Sequence, residues 1–139
     1  MKRLTQQEID RLLDLAEEAR DHSYAPYSKY NVGAALLTAD GQIYQGCNIE
    51  NAGFTPTVCA ERTAFFKAVY DGHRAFRAIA VIATGDEMGF PCGVCRQVMA
   101  EFCDRDFVIV TANRDRSQVD VSLFGQLRPQ SFGPKDLDV

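Results

Sequence analysis

The sequence of 139 residues contains no apolar run long enough to cross a membrane. Its first ten residues, MKRLTQQEID, lack the apolar segment that a secretory signal peptide requires. We therefore expect a cytoplasmic protein with no membrane partner. The sequence also contains no internal repeat, linker or low-complexity segment. We expect residues 1–139 to form a single domain, in which a hydrophobic content of 46% supplies the core.

A large positive charge is missing as well. The formal net charge is −4, and the stretch RDRS near Arg114 is too short to form a basic surface. A protein that holds a long polyanion needs such a surface in order to displace counterions from the phosphates. The charge balance therefore argues against a nucleic-acid polymer as partner and permits a small neutral ligand.

The cysteines do not have the pattern of a disulfide framework. Their number is odd, and no secretion signal precedes them. Two of them form a C-x-x-C motif, which in a reducing compartment indicates a metal site, redox chemistry or coincidence. The five cysteines are Cys47, Cys59, Cys92, Cys95 and Cys103.

The pattern of apolar and polar residues predicts helices alternating with strands. The first helix begins with a capping box formed by Thr5 and Glu8. A second helix is predicted from about Val58 to Tyr70 with Thr57 as its cap, and a third over CGVCRQVMAEFC. The order is helix, strand, strand, helix, strand, helix, strand, strand, which favours some parallel pairing. The predicted fold class is α/β, a three-layer α/β/α sandwich around a mixed five-stranded sheet.

Three of the cysteines fall near the first turns of the two later helices. The unpaired N–H groups and the dipole at a helix N-terminus lower the pKa of a thiol, and the thiolate is the form that binds zinc. Cys59, Cys92 and Cys95 would leave the fourth tetrahedral position free, as in catalytic zinc sites. Glu61 diverges from Cys59 along the helix, but it can border the same cavity and take a proton from a water molecule there.

Other interpretations of these residues stay open. A structural zinc site would be closed by a fourth cysteine, either Cys47 or Cys103. A redox pair would use the C-x-x-C motif alone and would leave Cys59 and Glu61 without a role. The order of the two motifs, C-A-E followed by P-C-x-x-C, favours catalytic zinc.

These motifs resemble those of a known family. TVCAERTAFFKA and PCGVCRQVMAEF, together with YAPYSKYNVGAAL, GCNIENAGF and SFGPKDL, are similar to the zinc-dependent cytidine deaminases of the short-chain, homotetrameric type. The similar stretches span most of the chain, from about Tyr24 to Leu137. The two cysteine motifs alone would include deaminases of polynucleotides and of other small molecules. NIEN is the motif that narrows the resemblance to nucleosides.

The resemblance implies a role for each motif residue. The three cysteines correspond to the ligands of one zinc ion per subunit, and Glu61 corresponds to the proton shuttle. Asn48 and Glu50 correspond to the pair that hydrogen-bonds a ribose hydroxyl, since an amide and a carboxylate can position a sugar without reading the base. Ala60 is expected among the substrate-binding residues. Without the family, NIEN would be interpreted as a polar turn after a strand.

Three aromatic residues are also expected at the substrate. Tyr30 stands where the family commonly has a phenylalanine against the pyrimidine, and the sequence gives no partner for the additional hydroxyl. Phe54 stands where many relatives have a tyrosine at a subunit contact near the pocket. Phe132 resembles a C-terminal aromatic residue that reaches a neighbouring subunit's site. Arg128 replaces a residue that is usually apolar, and nothing in the sequence explains it.

Arg62, directly after Glu61, resembles the family's arginine that hydrogen-bonds a zinc-bound thiolate. Three thiolates around Zn²⁺ give a formal charge of about −1, which weakens the effect of the metal on water. A guanidinium that withdraws charge from a thiolate would restore that effect. An exposed helix arginine is the competing interpretation.

The activity that the resemblance implies is the hydrolysis of cytidine and deoxycytidine to uridine and deoxyuridine with release of ammonia, as in pyrimidine salvage. Glu61 would move protons to N3 and to the departing amine while an activated water attacks C4. The alternatives are a deaminase of another small aminated nucleoside and a non-catalytic zinc-binding module. NIEN argues against a free base as substrate, because a free base has no sugar. A homotetramer is implied by the resemblance alone.

Overall fold

The structure is a computed structural model that describes residues 3–129 and 132–137. Its main helices and strands follow the predicted order. In these ranges no helix is both long enough and apolar enough to cross a membrane. The elements are α1 (Gln6–Arg20), β1 (Val32–Thr38), β2 (Ile43–Cys47), α2 (Ala60–Tyr70), β3 (Phe76–Ala83), α3 (Gly93–Phe102), β4 (Val108–Ala112), β5 (Val119–Leu123), the single turn α4 (Phe124–Leu127) and a 3₁₀ turn (Pro134–Asp136).

The five strands form one mixed sheet in the order β2-β1-β3-β4-β5. β1 pairs antiparallel with both β2 and β3, and β4 pairs antiparallel with β5. β3 and β4 are the parallel pair, and α3 makes the crossover that a parallel connection requires. The predicted mixed five-stranded sheet is confirmed.

Alternate residues of the central strands face two separate cores. In β1, Ala34 and Leu36 point to the face covered by α2 and α3, whereas Ala35 and Leu37 point to the face covered by α1. The central strands are therefore buried on both faces, which explains their nearly continuous runs of Val, Ile, Leu and Ala. The helices lie on both faces of the sheet, as predicted.

Helix α1 begins where the sequence predicts. The N–H of Glu8 donates to Oγ1 of Thr5 at 3.1 Å, and the N–H of Thr5 donates to the Glu8 carboxylate at 2.9 Å, which completes the capping box. Leu12, Leu13 and Ala16 are buried against the sheet. This helix contributes packing to the fold.

Helix α2 begins two residues later than predicted. Its N-cap is Cys59 and not Thr57. The hydroxyl of Thr57 instead accepts a hydrogen bond from the N–H of Asn51 at 3.0 Å, which fixes the loop before the helix. The helix lies directly on β2, because a Cβ added to Gly46 would come within 2.3 Å of the carbonyl oxygen of Ala60. The first residues of α2 are therefore held close to the sheet.

The C-terminal segment contains one element that sequence analysis missed. The stretch QVDVSLF predicts a strand as far as Phe124, whereas β5 ends at Leu123 and the turn α4 follows at once. The side-chain oxygen of Gln126 accepts a hydrogen bond from the N–H of Leu123 at 2.8 Å and starts this turn. The tail then forms the 3₁₀ turn Pro134–Asp136.

Candidate metal centre and substrate pocket

The N-termini of α2 and α3 meet at one end of the sheet, and each begins at a cysteine. Cys59 is the N-cap of α2 with an extended backbone (φ −78°, ψ 157°), and Cys92 is the N-cap of α3 (φ −69°, ψ 170°). Cys95 lies in the first turn of α3, and its N–H donates to Sγ of Cys92 at 3.5 Å. The sulfurs thus lie at the positive ends of two helix dipoles, where a thiolate is stabilised.

The three sulfur atoms form a compact cluster. Sγ of Cys92 is 3.7 Å from Sγ of Cys59 and 3.4 Å from Sγ of Cys95, and all three lie within 4.8 Å of one another. A tetrahedral ion with Zn–S bonds of about 2.3 Å would hold its sulfurs about 3.8 Å apart. Thiolate sulfur is also a donor that zinc prefers. The spacing and the chemistry of these residues therefore fit a zinc ion.

Within residues 3–129 and 132–137, no fourth cysteine, histidine or carboxylate joins this cluster. Cys47 ends β2, and Cys103 caps the opposite end of α3. This finding disfavours the closed structural site that either cysteine would have completed. Three protein ligands with one free position are the arrangement of catalytic zinc sites.

The pKa values of Cys59 and Cys95 are shifted in opposite directions. A hydrogen bond from the Cys95 thiol, supported by the Arg62 guanidinium, holds the pKa of Cys59 well below that of an ordinary thiol. The same hydrogen bond, together with burial, raises the pKa of Cys95. Metal binding would release the protons that these thiols carry.

The guanidinium of Arg62 lies beside the cluster. Its Nη2 donates to Sγ of Cys59 at 3.5 Å and to the carbonyl oxygen of Thr57 at 3.4 Å. Its Nε is buried without a hydrogen-bond partner among the described residues. A cation in this position offsets part of the negative charge that three thiolates would place around a metal.

Glu61 projects from the first turn of α2 into the cavity in front of the cluster and is only 5% exposed. Burial is the main cause that raises the pKa of Glu61 from 4.5 to about 7, and the negative charge of Cys59 adds to the effect. A carboxyl group that titrates near neutrality can both accept and donate a proton, as general acid–base catalysis requires.

The cavity has a volume of about 460 Å³, which is enough for a small organic ligand. Its walls come from the loop before β1, the ends of β2 and β3, and the segments that lead into α2 and α3. Eight of the lining residues have no place among the substrate-binding or catalytic residues expected from the sequence. These are Ser28, Val32, Thr57, Val58, Val81, Ala83, Gly89 and Phe90.

Asn48 and Glu50 line the cavity from one side of an extended segment that continues β2. Bridges from Ile49 to Tyr24 and to Val58 keep the segment extended, and residues i and i+2 of an extended chain point to the same side. Ile49, between them, is 44% exposed. The segment NIEN is thus not a free polar turn, because its backbone is fixed on both sides.

The amide of Asn48 is held by the backbone next to it. Its Oδ1 accepts a hydrogen bond from the N–H of Val32 at 2.9 Å, and its Nδ2 donates to the carbonyl oxygen of Tyr30 at 2.8 Å. Asn48 is buried at 8% exposure. Since an amide nitrogen carries two N–H groups, one N–H of Asn48 is left for a ligand.

The carboxylate of Glu50 is held by the loop before β1. Its Oε1 accepts hydrogen bonds from the N–H groups of Tyr27 at 3.0 Å and Ser28 at 3.1 Å, and its Oε2 accepts one from the hydroxyl of Ser28. The hydroxyl of Ser28 is the main cause that lowers the pKa of Glu50. A carboxylate has about four acceptor positions, so three donors leave one for a ligand.

The phenol of Tyr30 lies across the loop that leads to Cys92. A Cβ added to Gly89 would come within 2.6 Å of the Tyr30 hydroxyl, and one added to Gly85 would be 3.4 Å from Cε1 of the ring. The two glycines therefore make room for the tyrosine. Burial, and secondarily the charge of Glu61, raises the pKa of Tyr30. Among the described residues its hydroxyl has no hydrogen-bond partner, so it is free to contact a ligand.

Three of the predicted substrate-binding residues do not line this cavity. The side chain of Ala60 is fully buried in the core beneath α2. Phe54 is 77% exposed with φ at +57°, and Phe132 is 54% exposed. A substrate contact through Ala60 would therefore use its backbone. Phe54 lines a neighbouring hollow together with Ser28, Glu50 and Thr57, which also line the cavity.

The structure gives Arg128 a packing role. Its guanidinium hydrogen-bonds the side-chain oxygen of Gln97 on α3. Gln97 in turn donates through Nε2 to the carbonyl oxygen of Phe132 at 3.0 Å. Arg128 therefore belongs to a chain of contacts that attaches the C-terminal segment to α3.

Comparison with known proteins identifies the family. The model of the cytidine and deoxycytidylate deaminase zinc-binding region matches residues 6–111. The chain belongs to this family. It is 47% identical over 130 residues to a cytidine deaminase of Sporosarcina psychrophila, covering 94% of this chain and 95% of the relative. It is 46% identical over 129 residues to a cytidine deaminase of Halalkalibacterium halodurans, covering 91% and 96%.

The fold of this deaminase family member is also that of a solved relative. The crystal structure of cytidine deaminase from Burkholderia pseudomallei matches it with a TM-score of 0.85 at 43% identity, covering 93% of this chain and 100% of that one. Together these comparisons confirm the predicted family and a zinc-dependent deaminase as the class of enzyme. The cluster of three cysteines is compatible with one zinc site.

Proposed function

We propose that this deaminase hydrolyses cytidine and deoxycytidine to uridine and deoxyuridine, consuming one water and releasing one ammonia. The observation that carries the proposal is the convergence, in one cavity, of an open cysteine cluster, a buried glutamate and a pair suited to a sugar hydroxyl. The relatives named cytidine deaminase at 46% and 47% identity support the same substrate class.

The cysteines would hold one zinc ion in each chain. Cys59, Cys92 and Cys95 supply the three sulfurs, and Arg62 donates to Sγ of Cys59. When bound, the ion supplies Lewis acidity that lowers the pKa of water toward neutrality. The guanidinium and the N-termini of α2 and α3 counter the negative charge of the thiolates.

Glu61 moves the protons of the reaction. Its carboxylate accepts a proton from the attacking water and passes it to N3 of the pyrimidine ring, while the water oxygen bonds to C4. The carboxylate then takes the remaining hydroxyl proton and delivers it to the amine at C4. The C4–N bond breaks, the C4 carbonyl forms, and ammonia leaves.

Asn48 and Glu50 hold the sugar. One N–H of Asn48 and one acceptor position of Glu50 remain after their contacts within the protein, and a hydroxyl group can satisfy both at once. Ribose and deoxyribose share the 3′ hydroxyl, so a pair that binds one hydroxyl accepts both sugars. The ring of Tyr30 supplies an aromatic face beside the base.

The assembly proposed for the enzyme is a homotetramer with active sites near its subunit interfaces. The strong exposure of Phe54 and Phe132 supports this, because exposed aromatic residues are enriched where proteins associate. The whole of residues 1–139 would act as one domain in the cytoplasm, in pyrimidine salvage.

Measurement of zinc content and of deamination on the same purified sample tests the proposal. We expect one zinc per chain, a decrease in ultraviolet absorbance with cytidine and deoxycytidine, and a mass of four chains by light scattering. Free cytosine, which lacks the sugar, should react at least about a hundredfold more slowly. Zinc without any turnover would favour a binding module, and turnover of a different aminated nucleoside alone would favour another deaminase.

A further inference from the structure

We propose that Ser28 is a positioning residue for substrate binding, whose hydroxyl sets the orientation of the Glu50 carboxylate that receives the sugar hydroxyl. The inference rests on the proposed function and adds a residue to it. Sequence analysis assigned Ser28 no role, although it lines the cavity.

The two oxygens of the Glu50 carboxylate are held by different donors. Both backbone donors, the N–H groups of Tyr27 and Ser28, reach Oε1. Oε2 receives a hydrogen bond from the Ser28 hydroxyl alone among the described residues. The two N–H groups fix the position of Oε1, and the Ser28 hydroxyl fixes Oε2, so together they prevent rotation of the carboxylate about its terminal bond. Without the hydroxyl, a partly exposed side chain would have to be ordered when the substrate binds, and affinity would fall.

The Ser28 hydroxyl is itself oriented by the backbone of the same loop. Its oxygen accepts a hydrogen bond from the N–H of Tyr30 at 3.0 Å, so its own proton is directed away from that N–H and toward Oε2 of Glu50. The carbonyl oxygen of Tyr30 accepts from Nδ2 of Asn48 at 2.8 Å. One continuous path of hydrogen bonds and backbone therefore joins the two groups proposed to hold the sugar.

The Ser28 hydroxyl also limits the number of acceptor positions that Glu50 offers to a ligand. With the Ser28 hydroxyl in place, about one acceptor position of the carboxylate is free, and it can face a single sugar hydroxyl. Replacement of Ser28 by alanine would free a second position, which water can occupy. The serine thus limits the carboxylate to the geometry that one hydroxyl needs.

The experiment compares Ser28→Ala with the unaltered enzyme on two substrates, cytidine and 2′,3′-dideoxycytidine, which lacks both ring hydroxyls. With cytidine we expect KM to rise about tenfold, the effect of one hydrogen bond to a charged group, while kcat changes less than about twofold. With dideoxycytidine, kcat/KM should change less than about twofold, because this substrate has no 2′ or 3′ hydroxyl that Glu50 could bind.

Two matched variants control the experiment. Ser28→Thr keeps the hydroxyl and should restore KM to within about threefold of the unaltered enzyme. Ser23→Ala also removes a serine hydroxyl from this loop. The hydroxyl of Ser23 donates to Oδ1 of Asn31 at 2.7 Å and does not contact Glu50, so the KM of this variant for cytidine should be unchanged. If Ser28→Ala fails to fold, Ser28→Cys, which has a similar shape but is a weak donor, should show the same selective rise in KM.

Three outcomes would contradict the inference. An unchanged KM for cytidine would show that the hydroxyl does not position Glu50. An equal loss of kcat/KM on both substrates would indicate a general disturbance of the loop. Turnover of neither substrate by the unaltered enzyme would instead remove the proposed function, and this inference with it. The unaltered enzyme therefore distinguishes a failure of the function from a failure of the role of Ser28.

Discussion

The two halves of the candidate site are built by different physical means. The metal half, which consists of the three clustered cysteines, Glu61 and Arg62, comes from the N-termini of two helices anchored in a buried core. The sugar half, which consists of Ser28, Asn48 and Glu50, comes from a strand end and a surface loop joined by hydrogen bonds.

Because they are built differently, the two halves control different properties of the enzyme. In the metal half, burial raises the pKa of Glu61, and the helix N-termini stabilise the thiolates. In the sugar half, hydrogen bonds within the protein use most of the donors and acceptors and leave only a few for the ligand. We therefore expect changes in the metal half to alter zinc binding and kcat, and changes in the sugar half to alter KM.

The largest effect should come from removing a sulfur from the metal half. Cys92→Ala leaves two thiolates, so zinc content should fall far below one per chain and deamination should fall to background. Zinc analysis after dialysis checks the first result. Cys103→Ala, which removes a cysteine outside the cluster, should retain zinc and activity. Full zinc content in the Cys92 variant would refute the proposed ligand set.

Glu61→Gln should separate metal binding from proton transfer. The variant keeps the size of the side chain but cannot carry a proton, so kcat should fall by about 10²- to 10⁴-fold while zinc content stays at one per chain. Steady-state kinetics and zinc analysis of the same sample provide the measurement. Substantial turnover by the zinc-loaded variant would mean that another group moves the protons.

Arg62→Gln should weaken zinc binding without removing a zinc ligand. Loss of the donor to Sγ of Cys59 should lower zinc affinity by about 10- to 100-fold, as measured by competition with a chelator. Arg62→Lys retains the charge but not the planar geometry, and its affinity should be intermediate. Equal affinities in all three proteins would show that the guanidinium does not act on the cluster.

The smallest effect should appear where Tyr30 meets the loop that leads to the metal half. Gly89→Ala would place a methyl group against the Tyr30 hydroxyl and should raise KM about fivefold, the low end of the cost of overpacking. In a Tyr30→Phe background the same change should have less than about twofold effect. Identical effects in both backgrounds would show that the hydroxyl and Gly89 are not coupled.

The metal half could be anticipated from the sequence because its information is local. C-A-E and P-C-x-x-C each start a helix, and the position of a residue at a helix start determines where its side chain points. The start of α2 was nevertheless predicted two residues too early. Threonine is the better N-cap by intrinsic preference, but in the structure Cys59 occupies the N-cap position. The hydroxyl of Thr57 accepts a hydrogen bond from the preceding loop instead.

The sugar half could be anticipated only in part, because its contacts join distant parts of the chain. NIEN named Asn48 and Glu50 through the family resemblance, but nothing local to it indicates that Ser28, 22 residues earlier, would hold the carboxylate. The turn α4 was missed for a different reason. The apolar Phe124 directly after Leu123 extended the predicted strand by one residue, although the alternation of apolar and polar residues stops at Leu123. The strand ends there, and the side chain of Gln126 caps the turn that follows.

The contact between α2 and β2 at Gly46 has a consequence for substrate size. Backbone rests on backbone there, so the helix that carries the metal half and the strand that leads to Asn48 cannot shift apart through a change of rotamer. This contact helps to fix the distance between the end of the cavity where the amine is removed and the end that holds the sugar. We expect a purine nucleoside to fit this cavity poorly, because its second ring increases the distance between the amine and the sugar.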